Sequence, residues 1–214
     1  MNLNKKLSDI LDPNKIEVVK NPIEKAHGLP NECYLNNDYL EFEKEKIFKN
    51  NWTMIGVASS VPNPGDAKPF NLLGIPILIV RNKENEVKVF HNVCSHRGFK
   101  LVDQECKLKN VIRCPYHSWS YDFNGKLTVT PHIGGLGKHD VEGFEKNNSN
   151  LKEIKSKVWM DLIFININSN AKPFEDFIKP LEDRWSKFIS KKDQKLIRHS
   201  SDNGYFNMTV NSNW

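Results

Sequence analysis

Cys94-Ser95-His96 and, after 17 intervening residues, Cys114-Pro115-Tyr116-His117 decide the reading of this chain. A Cys-x-His and a Cys-x-x-His each offer one thiolate and one imidazole, which is ligand chemistry rather than packing. One candidate occupant is a single zinc held tetrahedrally by Cys₂His₂. Zinc fingers, however, present their cysteines as one close pair and their histidines as another, whereas each segment here mixes the two types. Mixing is expected of a [2Fe–2S] cluster with one iron held by two Cys and the other by two His, because each loop then feeds both irons. The spacing favours the cluster, with zinc as the alternative. Cys94, His96, Cys114 and His117 are the candidate ligands.

Working outward, 214 residues suffice for one substantial core or for one domain and part of another. With 38% hydrophobic and 27% charged residues, the composition is that of ordinary globular protein. Residues Met1 to Ile16 hold no apolar stretch of signal-peptide type. The longest nearly apolar run, Leu72 to Val80, is too short to cross a bilayer. A cytoplasmic protein without a membrane partner is expected. Of four cysteines two are candidate ligands, which leaves Cys33 and Cys106 as free thiols with no disulfide framework to build. The net charge of +5 is scattered and carries only five arginines, so nucleic-acid binding is not indicated. Between His91 and His117, however, Arg97, Lys100, Lys107, Lys109 and Arg113 oppose only Asp103 and Glu105. That bias fits electrostatic steering of an acidic electron donor, and equally a solvated loop surface.

Along the chain, the polar, Pro-punctuated stretch from Met1 to Pro30 reads as an extended arm. A helix is expected from Asp38, with Asp38 and Glu41 at capping-box spacing, Leu40, Ile47 and Phe48 on one face, and an end near Asn50-Asn51. Strand and turn signals then take over. Val61 to Asp66 is a turn cluster, Ile75 to Arg81 a buried strand, and Val87 to Phe90 a strand leading into the first ligand segment. Val111 to Arg113 precedes the second segment. Trp119 to Phe123, an Asn124-Gly125 turn and Lys126 to Thr130 follow it. Glycines at 134, 135 and 137 and the run Asn147 to Asn150 are loops, and Ile154 to Ile167 is a β region. Pro173 opens a helix whose Phe174, Phe177, Ile178, Leu181, Trp185, Phe188 and Ile189 share a face, with Pro180 expected to kink or split it. Gly204 to Val210 resembles a strand.

Two quoted stretches resemble a known family. They are Phe90-His91-Asn92-Val93-Cys94-Ser95-His96-Arg97-Gly98, and Arg113 to Asp122 together with Asn124-Gly125-Lys126-Leu127. Both are similar to the large (alpha) subunit of Rieske non-haem iron ring-hydroxylating oxygenases. The resemblance extends from about Tyr34 onward, through Pro64-Gly65, Val158-Trp159 and the Pro173 helix. Cytochrome bc-type Rieske proteins carry two further cysteines that close a disulfide around the cluster; the matching positions here are Phe99 and Tyr116, so no such clamp forms. Arg97-Gly98 and Trp119 favour the oxygenase side over small Rieske ferredoxins.

The resemblance implies a mainly β chain. Its centre would be a Rieske-type antiparallel β-sandwich with two cluster-binding loops, flanked by helices and by the start of a truncated α+β catalytic domain. The expected division is an N-terminal arm and helix (1–51), the Rieske [2Fe–2S] domain (52–168) and an incomplete catalytic domain (169–214). It further implies that electrons pass from a ferredoxin or a flavin/iron–sulfur reductase through the cluster to a mononuclear non-haem Fe(II) that activates O₂. That iron would oxidise a small organic substrate, aromatic by family frequency, in a homotrimer. Asn213-Trp214 resembles the start of the segment before the mononuclear-iron ligands, which puts those ligands beyond this chain and leaves no catalytic residue to name within it.

Other residues near the motif carry two readings each. Arg97 and Arg113 either stabilise a reduced cluster or receive a partner, or they form surface ion pairs. Trp119 and Tyr121 exclude water from the cluster or simply pack a strand. Gly98 and Pro115 shape tight loops. His132 and His139-Asp140 lack a ligand pattern, and His27, His91 and His199 are isolated. A stand-alone Rieske ferredoxin-like carrier and a structural zinc module are the competing functions.

Overall fold

The structure is a computed structural model that describes residues 6–187. The arm is not extended throughout: it holds a short helix, α1 (Pro13–Glu17), and a second, α2 (Glu32–Leu35), follows it before α3 (Asn37–Glu43). The cap of α3 is Asn36 rather than Asp38, its side chain accepting from the N–H groups of Asp38 at 2.8 Å and Tyr39 at 3.4 Å. Asn is as competent a cap as Asp, and Glu41, the residue meant to complete the box, pairs instead with Lys44 at 2.6 Å. The helix then widens into a π-helical turn over Lys44–Phe48. A wider turn rotates the following side chains out of phase, so Ile47 does not continue the face of Leu40, and both are exposed. The expected end near Asn51 is present, where the Asn51 amide donates to the Ile47 carbonyl at 2.9 Å.

Among the described residues ten strands follow: β1 (Thr53–Val57), β2 (Asp66–Leu72), β3 (Ile75–Arg81), β4 (Val87–His91), β5 (Cys106–Lys107), β6 (Ile112–Arg113), β7 (Ser120–Tyr121), β8 (Leu127–Val129), β9 (Lys155–Trp159) and β10 (Leu162–Asn166). They form three antiparallel sheets, ordered β1-β10-β9, β4-β3-β2-β5 and β6-β7-β8. The layering follows from side-chain alternation. Along β3, Ile77 and Ile79 enter one core with Ile55, Val61, Ile163 and Ile165, while Leu78 and Val80 enter a second with Phe90, Ile112, Tyr121 and Leu127. Burying each of these aliphatic side chains contributes roughly 1.5–3 kcal/mol. The middle sheet is therefore covered on both faces, and the second core carries the ligand loops on its far side.

β10 alternates in the same way. Ile163 and Ile165 face the first core, whereas Phe164 meets a third cluster of Trp52, Phe174 and Ile178. The expected β region Ile154 to Ile167 is a hairpin whose two turn residues, Met160 and Asp161, both have positive φ (50° and 68°). Such values suit the two-residue hairpin turn that matches strand twist.

The third cluster is completed by α4 (Phe174–Trp185), which runs unbroken through Pro180. Pro180 and Asp176 are exposed, so the carbonyl that loses its donor to the proline ring faces water and the helix is spared. Of the expected face, Phe174 and Ile178 are buried, Phe177 and Leu181 partly buried, and Trp185 exposed. Phe188, Ile189, His199, Gly204–Val210 and Asn213-Trp214 lie outside the described residues.

Candidate metal centre

The two ligand segments are built on one backbone plan. In the first loop the Cys94 N–H donates to the Phe99 carbonyl at 2.8 Å and the Gly98 N–H to the Cys94 carbonyl at 3.0 Å. In the second the Cys114 N–H donates to Trp119 at 2.8 Å and the Ser118 N–H to Cys114 at 3.0 Å. The residue four after each cysteine is left-handed, Gly98 with φ 68° and Ser118 with φ 59°. Glycine takes this conformation without strain, whereas Ser118 takes it at a cost of about 1–2 kcal/mol. Superposed on this plan, His96 stands two residues after its cysteine and His117 three.

Sheet and side chain pin the base of each loop. β4 delivers Asn92, fully buried, whose side-chain oxygen accepts from the N–H groups of Leu101 (3.2 Å) and Val102 (3.0 Å) while its amide donates to the Val102 carbonyl at 2.7 Å. β6 and β7 carry the second loop between them, pairing Arg113 with Ser120. Below it the Asn124-Gly125 turn is tied by the Asp122 side chain, which accepts from Asn124 N–H and Lys126 N–H, each at 2.9 Å. Gly125 (φ 80°) is required there: a Cβ would stand 2.5 Å from the ring of buried Phe90.

Cys94 and Cys114 are 2% and 1% exposed, and the two imidazoles are half-buried with ring centroids 4.9 Å apart. Burial pushes the Cys94 thiol up, against the pull of the Tyr121 hydroxyl and the His96 backbone. Burial, then the neighbouring His117 and Arg97, lowers the pKa of His96 below the ordinary imidazole value, which favours the neutral form that a metal ligand requires. The Tyr121 hydroxyl lies 3.2 Å from Cys94 Sγ and 2.8 Å from Ser95 Oγ, and Ser95 Oγ donates to the Ser149 carbonyl at 2.5 Å. Tyr121 is thus more than strand packing.

Aromatic rings continue the shell. Trp119 lies flat on His96 (4.5 Å, 9°) and is braced edge-on by Phe144 (5.8 Å, 66°). A cleft of about 550 Å³ opens beside the imidazoles, lined by His96, Arg97, His117, Ser118, Trp119, Pro131, His132 and Ile133.

His117 Nδ1 is buried and has no hydrogen-bond partner. An orphaned buried acceptor costs about 1–3 kcal/mol, a penalty that a metal bond removes. A single zinc needs its donors about 2.0–2.3 Å from one point. Among the described residues no group of three or more His, Cys, Asp or Glu side chains is so placed. A two-iron cluster asks for only two protein donors per iron, the bridging sulfides supplying the rest, and the donors present fit that group. The same observation means that no mononuclear-iron triad exists among the described residues.

The remaining sequence candidates separate cleanly. His132 and His139 are exposed loop residues whose Nδ1 atoms accept backbone N–H groups from Gly137 (2.9 Å) and His132 (3.1 Å). His27 and His91 lie apart from the loops' donor set, His91 at the end of β4 with its N–H on the Lys152 carbonyl. Arg97 and Arg113 are exposed, and Cys33 and Cys106 are free thiols. Sequence reasoning assigned no role to Asn92, Ser95 or Phe144. A lone polar residue at the end of an apolar strand was the available signal for Asn92; Phe144 gave none.

Comparison with known proteins identifies the domain that carries both loops. The family model described as the Rieske [2Fe-2S] domain matches residues 51–142. The carnitine monooxygenase oxygenase subunit of Acinetobacter pittii is 34% identical over 172 residues, covering 80% of this chain and 45% of that protein. The chain belongs to the Rieske non-haem iron oxygenases. Within that family it matches the N-terminal part of the alpha subunit, spanning under half the length of the relatives it resembles. The glycine betaine monooxygenase oxygenase subunit of Pseudomonas aeruginosa is 30% identical over 158 residues, 73% of this chain and 35% of that one. Among solved Rieske oxygenases, the quaternary ammonium monooxygenase CntA with L-carnitine superposes with a TM-score of 0.65 at 33% identity, covering 74% and 44% of the two chains. Naphthalene 1,2-dioxygenase from Rhodococcus sp. gives 0.65 at 25% identity, over 72% and 34%. These relatives are oxidoreductases that use O₂. No helix among the described residues is long and apolar enough to cross a membrane.

Proposed function

We propose that Cys94 and Cys114 hold one iron and His96 and His117 the other iron of a [2Fe–2S] cluster, and that the chain is the electron-accepting part of a Rieske oxygenase alpha subunit. The observation that carries this reading is the pair of buried thiols and paired imidazoles on two matched loops, with His117 Nδ1 left unbonded. When bound, the cluster supplies the uptake and release of one electron. The chain's own residues do the rest. The two loops present the donors, Trp119, braced by Phe144, covers one face of the His96 ring, and the Tyr121 hydroxyl is placed to donate to the Cys94 sulfur, which favours added negative charge there.

The division proposed is an arm and helix over 1–51, the cluster domain over 52–168 and the first part of a catalytic domain over 169–214. Hydroxylation then depends on a mononuclear Fe(II) held by the remainder of a longer subunit, with electrons from a ferredoxin or flavin/iron–sulfur reductase, in a cytoplasmic homotrimer. The substrate class we favour is a quaternary ammonium compound rather than an aromatic ring, because the carnitine and glycine betaine monooxygenases stand at 30–34% identity. The stand-alone carrier is less well supported, since α4 buries Phe174 and Ile178 against the outer sheet, an addition that a bare electron carrier does not need. The zinc module asks for convergence on one point that the donors do not show.

Anaerobically purified protein should contain iron and acid-labile sulfide in equal amounts, about two of each per chain, and show a paramagnetic signal after dithionite. Colourless, zinc-loaded protein without sulfide would overturn the reading.

A further inference from the structure

Each ligand loop closes on itself: the backbone hydrogen bonds described for 94–99 and 114–119 run within a loop, so side chains must tie one loop to the other. On the inner side Trp119 covers His96 and the Tyr121 hydroxyl reaches Cys94 and Ser95. On the outer side Phe99 of the first loop meets Tyr116 of the second, ring centroids 5.4 Å apart and 36° between planes. Tyr116 in turn lies against His117 at 3.7 Å. Six rings are thereby continuous across the donor set, in the order Phe99, Tyr116, His117, His96, Trp119 and Phe144. One end is braced, with Trp119 buried and Phe144 partly buried. The other is open, Phe99 being 44% and Tyr116 53% exposed.

Two large aromatic side chains left that open to water hold each other and the imidazole beneath them. We propose that Phe99 and Tyr116 act as a noncovalent clasp that keeps the two ligand loops closed over the cluster and fixes the orientation of the His117 ring. Both are positioning residues, and the assignment rests on the cluster reading above. A contact of this kind is weaker than a bond and reversible, which makes its contribution measurable by substitution.

The test compares Phe99→Ala, Tyr116→Ala, the double variant and Tyr116→Phe in protein purified with its cluster. Loss of visible absorbance under an iron chelator should be roughly two- to tenfold faster in each Ala variant. The double variant should be no faster than the faster single, because both remove one contact. Tyr116→Phe should restore retention. It should also restore the line shape of the reduced paramagnetic signal, which Tyr116→Ala alters through the His117 ring. Independent, multiplying losses, or retention equal to the parent, overturn the clasp.

A second arm needs no iron. The Phe99→Cys/Tyr116→Cys double variant, oxidised and mapped by mass, should join residues 99 and 116. An unlinked product puts the loops apart and overturns the clasp even where the parent binds no cluster, a result that would count separately against the functional reading.

Discussion

The two ligand loops share a backbone and differ in how they are held. The first hangs from Asn92, takes its left-handed turn at a glycine, and reaches Tyr121 and Ser149 through Ser95. The second is stiffened covalently by Pro115, takes the same turn at a strained Ser118, and leans on the flanking strands β6 and β7. A repeated frame thus places two thiols alike, while the one-residue offset between His96 and His117 places the imidazoles differently: one under a buried tryptophan, the other under an exposed tyrosine. The lesson is that the backbone sets the donor spacing, and the side chains around it set what each imidazole meets.

That comparison breaks first at the cysteines. Cys94→Ser and Cys114→Ser should each abolish cluster binding, with iron and sulfide falling to background in both. Unequal loss would show that the loops are not equivalent as donors. Next comes the support of the first loop. Asn92→Ala strands the Leu101 and Val102 N–H groups and the Val102 carbonyl inside the core, and should cost on the order of 3 kcal/mol in denaturant unfolding. The counterpart on the second loop, buried Ser120, makes one such bond, to the Ser118 carbonyl at 3.0 Å, so Ser120→Ala should cost less.

The left-handed positions sharpen the comparison further because they should respond in opposite directions. Gly98→Ala has open space for its Cβ but pays the backbone cost, about 1 kcal/mol, whereas Ser118→Gly should stabilise by up to about 1 kcal/mol. Paired melting curves check both signs.

The smallest effect belongs to His91, on the strand that feeds the first loop. Burial, then the charge of Lys152, lowers its pKa below the ordinary value, so the unfolded chain binds the proton first as pH falls. Stability should therefore decline from about pH 6.5 downward, until the folded protein also takes up the proton. Denaturant midpoints between about pH 7.5 and pH 5 should fall in the parent and fall less in His91→Gln.

Much of this was legible in residue order. Ile75 to Arg81 reads as a strand because its apolar run is unbroken, and it is buried on both faces for the reason the run implies. The four donors were legible because Cys and His at these spacings have few other uses. What escaped was geometry without a residue signature. Met160-Asp161 turns a hairpin with neither glycine nor asparagine, and the π turn in Lys44–Phe48 shifts a face whose spacing looks helical. The congruence of the loops was hidden because their histidines are out of step. Phe144 reaches Trp119 from a long segment that no local pattern connects to it.

β3 belongs to two interiors at once, Leu78 and Val80 supporting the layer of the two ligand loops and Ile77 and Ile79 the outer sandwich. Neither layer can come apart without withdrawing that strand from the other. Damage at the ligand loops is therefore felt as loss of stability throughout the folded body, which should still unfold as one unit, and the loops inherit their rigidity from a strand they share with the other core.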